Sequence, residues 1–309
     1  MPHNTSAIRT IASWSIYPLS WAFIAIAFSA ALSGRVGYQQ AWGMLTLFLV
    51  FFYAIVERIL PYEKRWSMTW ASFKADIRFI ATNVAFLAAL NAALAFFTIS
   101  ISGENYGPAS NWPLWLQLAS CMLVFEALNY SIHRAMHEAP CRLGRFLWNV
   151  HAAHHLPDKV YVVMHAVFHP LNAVFVQAVA ITIPIWLAGY DQKVVTLFLM
   201  INSMHGVISH FNMDVRMGWA NYVFVGTEVH RYHHSADINE AKNYGATLTI
   251  FDILFGTFVY KPGVAPKNLG LANYEAMPRH SEYKSVIALP FHGWKPTEKT
   301  TPGSLGPSA

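Results

Sequence analysis

The stretch PLWLQLASCMLVFEALNYSIHRAMH, Pro113 to His137, runs from an apolar segment straight into a pair of histidines. A spanning helix needs about 20 mostly apolar residues, and Pro113 to Tyr130 reads as one. Residues four apart share a helix face, so His133 and His137 point the same way just beyond the end of that segment. This junction sets the reading of the chain: apolar helices carry imidazoles to one end of a bundle.

The rest of the sequence agrees. Hydrophobic residues make up 55% of the chain and charged residues 12%, so most of it is buried or faces lipid. Further spans are expected at Ser15 to Leu32, Ala41 to Leu60, Ile77 to Ser100, Leu171 to Tyr190 and Val194 to Phe211. Pro184, His205 and His210 interrupt the last two, and only Asp191, Gln192 and Lys193 separate them, so they form either two full spans or a re-entrant hairpin. The expected fold class is all-α: a polytopic transmembrane helical bundle with a cytosolic, histidine-rich helical cap holding a dimetal site. Three regions follow: N-terminal transmembrane helices over 1–112, a histidine-bearing catalytic domain over 113–262, and a cytosolic tail over 263–309. The stretch from Pro262 to Ala309 holds seven prolines in 48 residues and is expected to be disordered from about Thr297. Its apolar piece, Val286 to Phe291 before Trp294, either lies on the membrane surface or packs on the cytosolic lobe.

Basic residues orient the bundle. Arg58, Lys64, Arg65, Lys74 and Arg78 lie between the second and third spans, whereas the loop from Ile101 to Asn111 carries Glu104 and no Lys or Arg. The first loop is therefore expected in the cytosol, which puts the N-terminus there and returns His133 to the same side. The first span is long for a signal peptide and contains Trp14 and Trp21, so it reads as a retained helix. The net charge of +5 follows from cytosolic loops and tail and does not call for a nucleic-acid partner. Cys121 and Cys141 would lie about 30 Å apart on a continuous helix and are expected to be free thiols.

Twelve of the fifteen histidines fall between His133 and His234. His151 aligns with His154 and His155, and His230 with His233 and His234, so each set offers its nitrogens to one place. The eight imidazoles of His133, His137, His151, His154, His155, His230, His233 and His234 exceed what one tetrahedral or octahedral ion can use, which implies two ions. His210 follows the sixth apolar stretch and lies at the depth to complete the site. His165, His169 and His205 are further candidates, as ligands, supporting hydrogen-bond donors or helix ends; His3, His280 and His292 read as incidental. Glu138 and Glu228 lie beside the histidines and could orient them, although solvated surface charge is the default reading for each. A nearly all-imidazole set leaves two divalent ions with their charge, which favours oxygen-derived anions or hydroxide and leaves oxygen activation and hydrolysis both open.

Three other chemistries fit less well. A zinc hydrolase needs an HExxH-type glutamate base, absent from every histidine group. A b-type haem carrier places single histidines on different spans, and a metal transporter wants polar ligands at mid-membrane, where the first three spans offer only Asn83 and Asn91.

The order HRAMH, LWNVHAAHH, HRYHHS resembles the fatty acid hydroxylase and sterol desaturase superfamily of integral-membrane di-iron oxygenases. FHPL at Phe168 to Leu171, SHFNMDVRMG at Ser209 to Gly218, and NYG then FDILFGT between Asn243 and Thr257 extend the resemblance over roughly residues 115 to 260. It implies two iron ions on the cytosolic face, O2 as co-substrate, and electrons from a separate ferredoxin- or cytochrome b5-like carrier. Hydrogen is removed from an unactivated C–H bond of a lipid in the bilayer, giving an alcohol, or an alkene after a second hydrogen loss. By motif, the implied iron ligands are the eight histidines above with His210 added; His169 also matches a family position. Where relatives often carry Trp before the aspartate, Phe251 precedes Asp252, which reads as a packing change. Lipid hydroxylation is the expected reaction because it needs one abstraction and rebound, with lipid or sterol desaturation as the alternative. Fatty acyl chains, sterols, carotenoids and aminolipids remain open as substrates, and the sequence carries no signal for an oligomeric state.

Overall fold

The computed structural model describes residues 7–101 and 107–292. His3, Glu104, Trp294 and the segment from Thr297 lie outside the described residues.

Helices form at all six expected apolar stretches. The first two, α1 (Ala7–Leu32) and α2 (Tyr38–Ile59), lie side by side. Ala41, Leu45, Leu49, Tyr53 and Glu57, four apart, are the buried stripe of α2, while Met44, Leu47, Phe48, Phe51 and Ile55 stay exposed. A helix apolar on both faces suits lipid on its outer side. Ser20 of α1 and Tyr53 of α2 close the interface with a 2.6 Å hydroxyl contact. Next come α3 (Trp70–Ile101) and α4 (Leu114–Glu138), then α5 (Arg142–His155). The fifth stretch is a continuous helical run over Pro170–Ala188, built from α6 (Pro170–Ala173), wide π-type turns over Val174–Thr182 and α7 (Ile183–Ala188). Gly189, at φ 69°, ends it, and Asp191 caps α8 (Gln192–Ser209) through the Lys193 amide. Among the described residues, Ala7–Leu32, Tyr38–Ile59 and Pro170–Ala188 are long and apolar enough to cross a membrane.

The second half is compact and mostly irregular, with the short helices α9 (Thr227–His233) and α10 (Ile250–Leu254). The described residues hold two isolated antiparallel bridges, Phe224 to Leu248 and Ser235 to Leu269, and no sheet. Helix α11 (Tyr283–His292) lies against α5 and α3 with Val286 and Leu289 buried. Of the two readings of this tail segment, packing on the lobe is therefore the one observed. Cys121 is buried and Cys141 exposed, both free. They do not share a helix as assumed: α4 stops at Glu138, and Cys141 caps α5 by accepting the Gly144 amide at 3.4 Å.

Two carboxylates inside apolar helices gather the loops. Glu57, in the last turn of α2, accepts the amides of Val162 and Asn212, each at 3.1 Å at its closer oxygen. Glu126, fully buried in α4, accepts those of Ala246, Thr247 and Leu248 at 2.7, 2.9 and 2.8 Å. Removing an acceptor leaves buried donors bare at about 1–3 kcal/mol each. Glu126→Ala should therefore lower stability by about 3 kcal/mol or more, seen as an earlier unfolding midpoint of the detergent-solubilised chain; an unchanged midpoint would refute this anchoring.

Candidate metal centre

Nine of the twelve candidate histidines meet in two groups, with ligand atoms within 4.8 Å of one another in each. His133, His137, His151, His155 and His233 form one; His154, His210, His230 and His234 form the other. The sequence reading, in which each set serves one place, is corrected here. Pairs four apart stay together, His133 with His137, His151 with His155, and His230 with His234. The members three apart cross over: His154 leaves α5's other histidines for the second group, and His233 leaves those of the α9 segment for the first. Positions i+3 and i+4 lie about 100° apart around a helix, so adjacent histidines can face different centres.

Five outer nitrogens are held by acceptors, while Nδ1 of His230 and of His234 is buried without a partner. Nδ1 of His133 donates to the Tyr244 carbonyl at 2.9 Å, that of His154 to Val167 at 3.1 Å, that of His233 to Lys242 at 3.0 Å, and that of His210 to Gly206 at 3.1 Å. His151 donates to the Asn172 side-chain oxygen at 3.3 Å. A carbonyl only accepts, so Nδ1 carries the hydrogen in each case and Nε2 presents a lone pair. Those lone pairs converge: Nε2 of His154 and His210 stand 2.9 Å apart, as do Nε2 of His133 and His151 at 3.0 Å. With no hydrogen between them such contacts repel, and a cation between them makes them favourable. Two nitrogens about 2.1 Å from one ion stand about 3.0–3.4 Å apart at octahedral or tetrahedral angles. The remaining contacts, His155 to His151 at 3.0 Å, His230 to His210 at 3.1 Å, His234 to His230 at 3.1 Å and His234 to His210 at 3.3 Å, match that range. Nε2 of His137 and of His233 is buried without a hydrogen-bond partner. The donor set fits two metal ions.

The three other candidates lie outside both groups. His169 caps α6: its Nδ1 accepts the Leu171 amide at 3.1 Å and its Nε2 donates to Ile287 of α11 at 3.0 Å. His205 bonds the Val225 carbonyl at 2.8 Å and stacks on Phe224. His165 lies nearer, its ring 5.3 Å from that of His210. It fits because residue 206 is glycine: a Cβ there would sit 2.6 Å from the His165 ring.

Both suspected carboxylates depart from the solvated default. Glu228 is buried and accepts from Asn221 at 2.7 Å and from the Met217 amide at 3.3 Å, holding a loop and touching no imidazole. Glu138 acts one step away from the rings. It accepts from Lys242 Nζ at 2.6 Å, Tyr244 hydroxyl at 2.9 Å and Arg134 Nε at 2.7 Å, and so grips the residues whose carbonyls orient His233 and His133. Between them Asn243 takes a left-handed φ of 62° and donates to Val229 and Val259, both at 2.8 Å. Asp252, matched by motif but given no role from the sequence, is buried and accepts the amides of Tyr244 and Gly245, each at 2.8 Å. A Cβ at Gly245 would meet Leu248 O at 2.4 Å, so this stretch needs its glycine.

Residues 118–257, which span every histidine of both groups, match the fatty acid hydroxylase family model. That stretch is similar to a fatty acid hydroxylase domain. The chain is 28% identical over 247 residues to the ornithine lipid hydroxylase OlsE of Rhizobium tropici, covering 77% of this chain and 72% of that one. Similarity to the fatty acid hydroxylase vlmA of a Lecanicillium species is 27% over 187 residues, covering 53% of this chain and 48% of that one. For methylsterol monooxygenase 1 of Danio rerio it is 21% over 251 residues, covering 75% and 82%. No solved structure matches.

A cavity of about 420 Å³ opens within residues 118–257 and their helical surround, with His133, His151, His154, His210 and His230 in its wall. Apolar side chains, including Ile80, Leu87, Phe125, Val176 and Leu199, line the remainder beside several amides. It is an apolar space, of a size to take an acyl chain, that ends at imidazoles of both groups.

Two outcomes follow. Burial, with neighbouring imidazoles adding, holds His151, His154, His155, His230, His233 and His234 well below the usual histidine range. In metal-free protein these groups stay neutral when folded and charge when unfolded, so stability is full above about pH 6.5 and falls steeply below it. Thermal unfolding of chelator-treated protein should show that slope; a pH-independent midpoint would contradict neutral, buried rings. Burial raises the Glu138 pKa, but hydrogen bonds from Lys242, Arg134 and Tyr244 outweigh it and hold the carboxyl at about 2, so it remains an anion. Glu138→Gln should weaken metal binding at the five-imidazole group about 10–100-fold and spare the other. Metal analysis after graded dialysis would report this as loss of one equivalent before the second.

Proposed function

We propose that this chain is a membrane-bound, O2-dependent di-iron hydroxylase that inserts oxygen into a C–H bond of a lipid. The observation that carries the reading is the pair of imidazole groups, sharing helices α5 and α9, at the end of an apolar cavity. In this reading His133, His137, His151, His155 and His233 hold one iron and His154, His210, His230 and His234 the other. Imidazole suits iron among several metals, and the family match favours it. Bound iron supplies O2 activation; the balance is R–H, O2, two electrons and two protons giving R–OH and water.

The chain's own residues bind, orient and seal. Carbonyls of Tyr244, Lys242, Val167 and Gly206 fix the rings. The apolar cavity wall receives the hydrocarbon and keeps bulk water from the reacting carbon. Electrons are proposed to come from a separate ferredoxin- or cytochrome b5-like carrier. The basic loop over residues 58–78 supports a cytosolic histidine cap in a multi-pass bundle, where a soluble carrier reaches the centre from water while substrate enters from lipid.

Lipid extracts from cells with and without the gene test this. A species heavier by one oxygen is expected, and it should vanish with His154→Ala or His233→Ala, one from each group. A species lighter by two hydrogens would instead make the chain a desaturase; iron-free protein with full product formation would overturn the di-iron reading.

A further inference from the structure

We infer that His165 meets a small anionic, oxygen-derived ligand at the cavity-facing open position of the four-imidazole group, donating a hydrogen bond to it from Nε2. This rests on the di-iron reading, since it requires an ion in that group, and it adds a residue that is not a ligand. Ring spacing locates the position. Rings on one ion stand about 4.6 Å apart when adjacent and about 6.5 Å when opposite in an octahedral arrangement, against about 5.3 Å throughout a tetrahedral one. The rings of His154 and His230 stand 6.5 Å apart, and the other five pairs of the group 4.4–5.2 Å. The four therefore follow octahedral directions, with His154 opposite His230 and the places opposite His210 and His234 left to other ligands. His154, His210 and His230 line the cavity and His234 does not, so the place opposite His234 faces the cavity.

His165 stands in the same wall, on the short turn Val162–Ala166, with its ring 5.3 Å from that of His210. Glu57 fixes the turn through the Val162 amide. Gly206, one helical turn before His210, makes the room: Nε2 of His165 stands 3.1 Å from where a Cβ would sit. Among the titratable residues of the described wall, His165 is the one outside both groups. Its nitrogens do not join the four, so it faces what the ion binds and not the ion. A ligand atom about 2.1 Å from the ion and about 2.8 Å from Nε2 spans such a gap. His169 has both nitrogens engaged with the protein; Nδ1 of His165 is buried without a partner among the described residues, and Nε2 has none there either. Neutral imidazoles cancel none of an ion's charge, and no Asp or Glu lines the described wall, so the open place attracts an anion. An anion accepts from Nε2 while nothing accepts from Nδ1, so the neutral ring carries its hydrogen on Nε2. Such a charge-assisted bond is roughly twice as strong as a neutral one.

The test uses the full-length, iron-loaded chain in lipid nanodiscs and azide as the probe, a small anion that binds iron and accepts hydrogen bonds. Azide affinity is read from the absorption of the oxidised protein, without turnover. His165→Leu should weaken azide binding about tenfold or more, the worth of one hydrogen bond to a charged group, while both iron equivalents are retained. His165→Gln, which keeps an N–H near the place of Nε2, should recover most of that loss. Should His165→Leu fail to fold, His165→Asn, too short to reach, takes its place with the same expectation. Equal azide binding by the unaltered chain and the Leu variant, no azide binding by either, or a Gln variant as weak as Leu would overturn the proposal. Loss of one iron equivalent on His165→Leu would make His165 a ligand and overturn it equally. A chain that takes up no iron would overturn the di-iron reading and this inference together. Azide binding that depends on His165, with no oxygenated lipid in cells, would count against the hydroxylase reading alone.

Discussion

Imidazole lone pairs facing each other across 2.9 Å, His154 against His210, set the condition that the rest of the structure meets. Such an arrangement is unfavourable in a protein alone and favourable around a cation, so it persists where rings are gripped from their far side, as those of His133, His154, His210 and His233 are. Those grips are backbone carbonyls, and backbone carbonyls are only as fixed as the segments that carry them. The dependence can be followed outward. His133 and His233 are held by residues 244 and 242, which Glu138 and Asp252 hold in turn. The next residues, 246–248, hang on Glu126 inside α4. A carboxylate buried in an apolar helix thus reaches the metal groups through two layers of main-chain hydrogen bonds.

Much of this was legible because helix periodicity and lipid-length apolar runs are strong signals. The six apolar helices, the histidines worth considering and the free cysteines could all be read from spacing alone. The division of the histidines could not. Periodicity says which residues share a face; it does not say that His154 and His233, at the edges of their faces, point to the neighbouring centre. That depends on how α5 and α9 are set against each other, a tertiary property. The roles of His169 and His205 were open for the same reason, since a cap and a ring stack look alike in sequence. Glu126 was passed over although its signal was present: a lone carboxylate in the middle of an apolar helix is expensive unless several donors surround it. Glu228 misled in the opposite way, because proximity in sequence to His230 brought no contact.

The crossover has a mechanical consequence. Because α5 and the α9 segment each give ligand atoms to both groups, neither group can shift without disturbing the other, and the separation of the two centres is set by helix geometry. Main-chain carbonyls strengthen this coupling, since they have no side-chain rotamers through which a ring could relax. A rigid pair of centres suits a reaction in which the oxidant must be placed against one C–H bond among many similar ones. Selectivity then has to come from where the substrate is stopped.

A smooth apolar tube cannot stop a hydrocarbon chain at a defined depth, because each methylene it passes looks like the last. A polar foothold can, and its value grows as the surroundings become drier. Within this cavity the amides that touch the protein are already occupied with holding rings and loops, so they cannot also serve the ligand without loosening the centre. The task of holding the rings and the task of choosing the carbon therefore fall to different residues of the wall.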